Sequence, residues 1–147
     1  MSHTTKIKGV SIHNIAALEA AIKELNEKGI ACSLVANVAP RAYFQKQEGL
    51  GVADYVINLA TCPYDVGLYK QPNGTYEPRT DFWAGHVEKV LGTTASKVGN
   101  EDQAKLGKLF QSYAKHATLI EARRSGKNVR VIENKETGAI KLVLSGF

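Results

Sequence analysis

The longest amphipathic pattern in the chain lies in its C-terminal third. Six apolar residues recur there at spacings of three and four, which places them on one stripe of a helix: Leu106, Leu109, Phe110, Tyr113, Ala117 and Ile120. The pattern predicts a helix over residues 101–125, about 37 Å long, with Asn100 as its N-cap and Gly126 as its left-handed C-terminal cap. A helix of this length is expected to cross the domain and to build much of its core.

A β-hairpin is predicted directly after this helix. Residues 128–134 alternate with Val129 and Val131 on one face, and residues 139–144 return as a second alternating strand. The four residues between the two strands form a turn in which Gly138 suits a positive φ. We therefore expect two antiparallel strands after the long helix.

The N-terminal half begins with a strand and a helix. Residues 6–12 carry the apolar residues of a first strand, and Gly9 interrupts their alternation as a bulge does. Asn14 is a suitable N-cap for the first helix, and Gly29 is a suitable terminator. The buried stripe of this helix is predicted to contain Ile15, Leu18, Ile22 and Leu25.

Two further strands follow, over residues 30–38 and 52–60, and a turn or loose connection is predicted over residues 41–51 between them. In the later strand, the more apolar of the two alternating sets is expected to face the core. That set contains Ala53, Tyr55, Ile57 and Leu59.

A hairpin and a helix are predicted in the middle of the chain. The sequence Pro72-Asn73-Gly74 separates a short strand within residues 62–70 from a return arm over residues 75–79, in which Pro78 indicates an edge strand or the end of pairing. A helix over residues 82–91 follows, capped by Thr80 or Asp81. The small, polar residues 92–99 then form either a bend between two helices, which we prefer, or a loop.

The order of these elements predicts one α+β domain over residues 1–147. Helices that follow groups of strands favour an antiparallel sheet with helices on one face. A ferredoxin-like split βαβ arrangement, with added hairpin strands at an edge, fits this order best. The fold prediction therefore has a coarse part, the α+β class, and a finer part, the ferredoxin-like topology.

Composition restricts the class of protein further. The chain has 147 residues, of which 44% are hydrophobic, so it is large enough to bury a core without metal or disulfide support. No apolar run approaches the roughly 20 residues that cross a bilayer, and the N-terminal residues lack the apolar segment of a signal peptide, so we expect a cytoplasmic protein and no membrane partner. Cys32 and Cys62 are expected to be reduced thiols.

No catalytic or metal-binding pattern is present in the sequence. None of the four histidines pairs with a cysteine or carboxylate at a familiar ligand spacing, and no nucleophile elbow, phosphate loop or dinucleotide fingerprint occurs. Asp81 and His86 are close in sequence, but Asp81 suits a helix cap better than a general base. We therefore expect no catalytic residue, no metal and no cofactor.

The favoured function is a non-catalytic protein-interaction or oligomerising module. Strand edges at the C-terminal hairpin invite sheet pairing with another chain, which makes a protein partner or self-association the expected partner class. Aromatic residues around the middle hairpin and the following helix resemble interface anchors. The candidate interface residues are these aromatic residues and one histidine of the long helix: Tyr64, Tyr69, Tyr76, Trp83 and His116.

Two alternative functions stay open. A nucleic-acid-binding protein is the first, because the net charge is +5 and basic residues gather near the end of the long helix. Its candidate contacts to phosphate are Lys115, Arg123, Arg124, Lys127 and Arg130. Glu121, Glu133 and Glu136 lie in the same region and weaken the positive field. A binder of a small ligand or nucleotide is the second alternative.

Three blocks of sequence carry a resemblance to a known family. They are the N-terminal residues 1–8 (MSHTTKIK), the middle residues 64–68 (YDVGL) with 81–83 (DFW), and the late residues 111–116 (QSYAKH), 120–124 (IEARR) and 138–143 (GAIKLV). In this order they resemble the domain-of-unknown-function 1257 family, small proteins of chloroplast and cyanobacterial genomes and of phages. The resemblance brings no activity with it, but it implies an intracellular protein, such as a phage accessory protein acting on a host or phage protein.

Overall fold

The computed structural model of the chain describes residues 4–6, 11–41, 51–81, 85–93, 105–133 and 140–145. The described strands are β1 (Thr4–Lys6), β2 (Cys32–Val38), β3 (Ala53–Leu59), β4 (Val66–Lys70), β5 (Tyr76–Asp81), β6 (Asn128–Glu133) and β7 (Ile140–Ser145). The described helices are α1 (Ile15–Glu27), α2 (His86–Leu91) and α3 (Gly107–Arg124). The prediction of an α+β fold is therefore confirmed.

Five strands form one antiparallel sheet in the order β1-β5-β4-β3-β2. The predicted hairpin connects β4 and β5, and Gly74 adopts a positive φ of 86° in its turn. β1 covers Thr4–Lys6 and so includes Lys6 of the strand predicted over residues 6–12, of which residues 7–10 lie outside the described residues. Ile12 makes an isolated bridge to Tyr76. Because β1 pairs with β5, the strand that contains Pro78 is not at the edge of the sheet, which corrects the edge-strand alternative for it.

The ferredoxin-like arrangement is not confirmed by this strand order. In a split βαβ unit of that kind, a single strand separates the two strands that the helix connects. Here β1 and β2 are connected by α1, and three strands lie between them. The extra strands are thus inside the sheet, whereas we expected them at an edge.

The main hydrophobic core lies between α1, α3 and one face of this sheet. Of the predicted α3 stripe, Leu109, Phe110 and Tyr113 are buried, whereas Ala117 and Ile120 are half-buried and pack against the core. Ile57 and Leu59 of β3 are also fully buried in this core, as the alternation predicted. Val56, from the opposite set, is buried too, in a second small cluster with Tyr69 and with Ala53, which was expected to face the main core.

Tyr113 joins the two main helices through a buried hydrogen-bonded contact. Its hydroxyl accepts the backbone N–H groups of His13 at 2.9 Å and Asn14 at 3.0 Å. The Asn14 side chain in turn accepts from the N–H of Ala17, which confirms its predicted role as N-cap of α1. A side chain of α3 therefore holds the backbone at the start of α1.

The C-terminal strands β6 and β7 pair as a separate two-stranded sheet that contacts α3, which confirms the predicted hairpin. Gly126, between α3 and β6, has a φ of 71° and forms the predicted left-handed cap. Several predictions fall on residues outside those described. They are the strand positions 7–10 with Gly9, the turn with Gly138, the connection over residues 42–50, the start of the middle helix with Trp83, and the break over residues 94–99. The prediction of Asn100 as N-cap of the long helix is wrong, because α3 begins at Gly107 and its N-cap is Leu106.

Candidate functional site

β2 forms one edge of the five-stranded sheet. β2 lies at the end of the strand order, and no described strand pairs with its outer side. The strand contains neither charge nor proline, two devices that usually protect sheet edges from pairing. Val35 and Val38 are 41% and 38% exposed. β2 therefore presents an exposed and largely apolar edge.

The register of the ladder shows which backbone groups of β2 point outward. The N–H of Ala60 donates to the carbonyl of Ala31 at 3.0 Å, just before β2 begins. Antiparallel pairs alternate, so the backbone groups of Ser33 and Val35 face β3, whereas those of Leu34 and Ala36 face away from the sheet. The open edge thus offers an N–H and a carbonyl at both Leu34 and Ala36.

A side chain already occupies the equivalent outward groups of Cys32. The Asn26 carboxamide, in the last turn of α1, donates to the Cys32 carbonyl at 2.7 Å and accepts the Cys32 N–H at 3.1 Å. Its nitrogen also donates to the Ile22 carbonyl at 2.9 Å. Asn26 therefore binds the β2 edge as a strand would. It blocks the edge at Cys32 and leaves it open from Leu34 onward.

We expect Asn26→Asp to destabilise the protein by about 1–2 kcal/mol, because a carboxylate keeps the acceptor but loses both donated hydrogen bonds. Urea unfolding measures the loss. Amide hydrogen exchange then separates the two roles: the Cys32 N–H should stay protected in Asn26→Asp and exchange faster in Asn26→Ala. Equal exchange in the two variants would contradict the assigned contact.

A groove of about 500 Å³ runs beside the open edge. One wall is α1, which contributes Glu19, Ile22 and Lys23, and the other contains side chains of β2 and of Tyr55 on β3. One positive and one negative side chain line the α1 wall, so the described lining of the groove has no net charge. An extended segment paired with β2 would direct every second side chain into this groove.

Asn37 limits the length of the open edge. It is the only described residue other than glycine with a positive φ, at 57°. A positive φ departs from the extended conformation of a strand, so a partner finds regular extended backbone up to Ala36, although Val38 still pairs with Ala53. The candidate site is therefore short, with Asn26 at one end and Asn37 at the other.

The predicted interface residues are not brought to one surface. Tyr64 and Tyr69 are buried, in two different clusters, and Tyr76 is half-buried with its ring against Tyr55. Tyr64 also packs edge-on against His86, with the ring centres 5.6 Å apart. The described aromatic rings of this set therefore pack within the chain, and Trp83 lies outside the described residues.

The fifth predicted interface residue, His116, belongs to a half-buried charge cluster between α1 and α3. The Glu24 carboxylate is the centre of this cluster and contacts Lys115, His116 at 2.9 Å and Lys28 at 3.4 Å. Burial raises the pKa of Glu24, but the hydrogen bond and charge of Lys115, with His116 and Lys28, outweigh it and lower the pKa below the ordinary 4.5. The cluster thus favours ionised Glu24.

Glu24→Gln is expected to cost about 1 kcal/mol at pH 7 and less at pH 3.5. Because the folded pKa of Glu24 is lowered, its stabilisation is complete above 4.5 and is lost as the pH falls through the folded pKa. Urea unfolding at both pH values tests this. Glu27→Gln, an exposed change on the same helix, is the control. Equal losses for Glu24→Gln at the two pH values would contradict the prediction.

The predicted phosphate contacts divide into two groups. Lys115 is committed to Glu24 and lies between the helices. Arg123, Arg124, Lys127 and Arg130 are exposed around the end of α3 and the start of β6. Arg124 lies 3.5 Å from Glu121, and both side chains are largely exposed. Four of the five basic residues therefore form an exposed basic end.

A second polar network joins the end of β3, the residue before β4 and the chain just after β2. Asp65 is 3% exposed, and its carboxylate accepts the Arg41 guanidinium at 2.8 Å and the Arg41 backbone N–H at 2.8 Å. The same guanidinium donates to the carbonyls of Leu59 and Cys62, both at 2.9 Å. Arg41 therefore binds one buried carboxylate, the carbonyl at the end of β3 and a carbonyl of the turn that follows it.

Within the described residues, no group of three or more histidine, cysteine or acidic side chains is arranged to hold a metal ion. Cys32 and Cys62 are buried free thiols, and burial raises the pKa of each. No described helix is both long and apolar enough to cross a membrane. Comparison with protein-family models, with curated proteins and with solved structures found no match for this chain.

The open edge is a functional candidate that sequence analysis did not identify. The sequence predicts a strand over residues 30–38, but the position of that strand in the sheet depends on how distant strands pair. The available signal was the run of seven residues without charge or proline over residues 32–38. The resemblance to the domain-of-unknown-function 1257 family stays a prediction.

Proposed function

We propose that this protein is a non-catalytic protein-interaction module that binds an extended, uncharged polypeptide segment along the open edge of β2. The observation that carries the proposal is the pair of outward backbone positions, Leu34 and Ala36, next to a groove lined by α1. Strand addition of this kind uses main-chain hydrogen bonds for affinity and a groove for alternate side chains. The uncharged strand and the balanced groove favour an uncharged segment with alternating apolar residues.

The energetic basis is a short ladder with apolar support. An added strand exchanges hydrogen bonds with Leu34 and Ala36, each worth about 1 kcal/mol net. Val35 is 41% exposed and gains cover when a strand is added beside it. Asn26 already makes this type of contact to Cys32, which supports the view that the outward groups of β2 accept an amide partner.

Selection from a library of ten-residue peptides tests the proposal. Enriched peptides should bind the wild-type protein and protect the Leu34 and Ala36 amides from hydrogen exchange. Ala36→Pro should abolish binding, because it removes an N–H that points away from β3 and leaves the β2–β3 ladder in place. Ala36→Ser keeps that N–H and is the matched control. Peptides that bind Ala36→Pro and Ala36→Ser equally well would refute the proposal.

A second candidate function is nucleic-acid binding, which the exposed basic end favours. Arg123, Arg124, Lys127 and Arg130 are exposed together and are positioned by the end of a helix and a strand. Fluorescence anisotropy with DNA and RNA oligomers should then show binding that weakens steeply between about 50 and 200 mM salt. Arg123→Ala with Arg124→Ala should weaken it, whereas Ala36→Pro should not. Anisotropy that does not change as protein is added would exclude nucleic-acid binding.

The cellular part of the proposal rests on the sequence resemblance. Likeness to the domain-of-unknown-function 1257 family supports a cytoplasmic protein, in the host cytoplasm if it is encoded by a phage, where it acts on a host or phage protein. Binding through β2 does not depend on a ferredoxin-like strand order. The small-ligand alternative gains no support from the described residues beyond the volume of the groove.

A further inference from the structure

We propose that the segment bound by β2 is β2 of a second copy, so that two chains pair edge to edge around a twofold axis at Val35. This inference rests on the proposed function, because it names the partner of the same edge. In the resulting antiparallel pair, Val35 lies opposite Val35 of the second copy. Leu34 and Ala36 of each chain then exchange hydrogen bonds with Ala36 and Leu34 of the other.

The register follows from the two ends of the open edge. Pairing centred on Val35 uses the outward groups of Leu34 and Ala36 and no others. It keeps the hydrogen bonds between Cys32 and Asn26 and ends before Asn37, whose φ is positive. A shift that brought Cys32 into the ladder would have to displace the Asn26 side chain. The structure thus offers one undisturbed antiparallel register for self-pairing.

The side chains of β2 are compatible with their own copy. The strand carries no charge, so the symmetric pair brings no like charges together, and two exposed β-branched Val35 side chains meet at the closely spaced position. A heterologous segment needs a complementary sequence of its own, whereas β2 supplies this match to itself. The symmetric arrangement also occupies both open edges at once, as an isologous interface does.

The helices that line the two grooves are also complementary. A twofold axis perpendicular to the sheet places α1 of the two chains antiparallel on the same face. Glu19 and Lys23 are one turn apart on the groove side of α1, and neither has an ion-pair partner among the described residues. In antiparallel helices, Glu19 of each chain lies on the side of Lys23 of the other. Opposite charges therefore face each other across the axis.

Sedimentation of the full chain tests the pairing, at concentrations up to about 1 mM because so short a ladder gives a weak contact. The apparent molecular mass of the wild type should approach twice the chain mass of 16.0 kDa as its concentration rises. Val35→Lys and Val35→Glu should each stay at 16.0 kDa, since like charges meet at the axis. An equimolar mixture of the two variants should regain the dimer, because opposite charges then meet there. Circular dichroism and urea midpoints confirm that both variants fold.

The outcomes separate this inference from the proposed function. A wild type that stays at 16.0 kDa overturns the second copy as partner, and peptide binding that Ala36→Pro abolishes would still support strand addition. A dimer that survives in Val35→Lys, or a mixture that fails to regain it, also overturns the inference. A heterologous peptide should bind Val35→Lys within about threefold of the wild type, because the new charge has no like charge opposite it.

Discussion

Asp65→Ala is expected to lower the free energy of unfolding by about 3 kcal/mol, the largest effect of any polar substitution considered. The carboxylate is 3% exposed and accepts from the backbone N–H and the guanidinium of Arg41, and from the side chain of Asn58 at 3.2 Å. Its removal leaves these donors without their acceptor. The Arg41 side chain is 41% exposed, so water can hydrogen-bond to it when Asp65 is removed. The expected loss of stability is therefore smaller than for a fully buried ion pair.

Urea unfolding of a double-mutant cycle with Arg41→Ala measures how strongly the two residues are coupled. We expect the double variant to lose about 1–2 kcal/mol less than the sum of the single losses, because each single change leaves a partner without its counterpart. Asp54→Ala is the matched control. Its carboxylate also accepts a backbone N–H, that of Lys70 at 2.7 Å, but it is exposed, so a loss of about 0.5 kcal/mol is expected. Additive losses in the cycle would contradict the network.

Tyr113→Phe is expected to cost about 2 kcal/mol although it removes a single oxygen atom. That atom accepts two backbone N–H groups, from His13 and Asn14, and the ring that carries it is 2% exposed. The phenylalanine ring preserves the packing of α3, so the loss reports the hydrogen bonds and not a cavity. Urea unfolding gives the free energy, and faster exchange of the two amides should accompany it.

Two other tyrosines provide controls for the same substitution. Tyr76→Phe removes a hydroxyl from a half-buried ring and should change stability by less than about 0.5 kcal/mol. The Tyr69 hydroxyl is buried without a hydrogen-bond partner in the described structure, and burial raises its pKa. Tyr69→Phe should therefore be neutral or stabilise by up to about 1 kcal/mol. A loss at Tyr69 as large as that at Tyr113 would contradict the assigned contacts.

The helices of this protein were predictable because their signals are local. The N-cap Asn14, the terminator Gly126 and the apolar stripe of α3 lie within a few residues of the structure that they determine. The middle hairpin was predictable for the same reason, since Gly74 fixes its turn. The α+β class followed from the order of such elements.

The strand order was not predictable, because it depends on contacts between residues that are far apart in sequence. β1 pairs with β5 through Thr5 and Thr80, and neither residue carries a signal for the other. The position of β2 at an edge, and hence the candidate site, is a consequence of that order. The role of Asn26 was not predictable for a related reason. Its partner Cys32 is only six residues away, but their contact depends on how the chain turns after α1.

The hydroxyl of Tyr113 also affects when the protein can fold during its synthesis. The residues that it holds at the start of α1 were made about one hundred residues earlier. At about 5–20 residues per second, a ribosome needs roughly 5–20 seconds to cover that distance. During this interval α1 lacks α3 and the contact at its first turn. A residue that is synthesised about one hundred positions later therefore determines when the start of α1 becomes native.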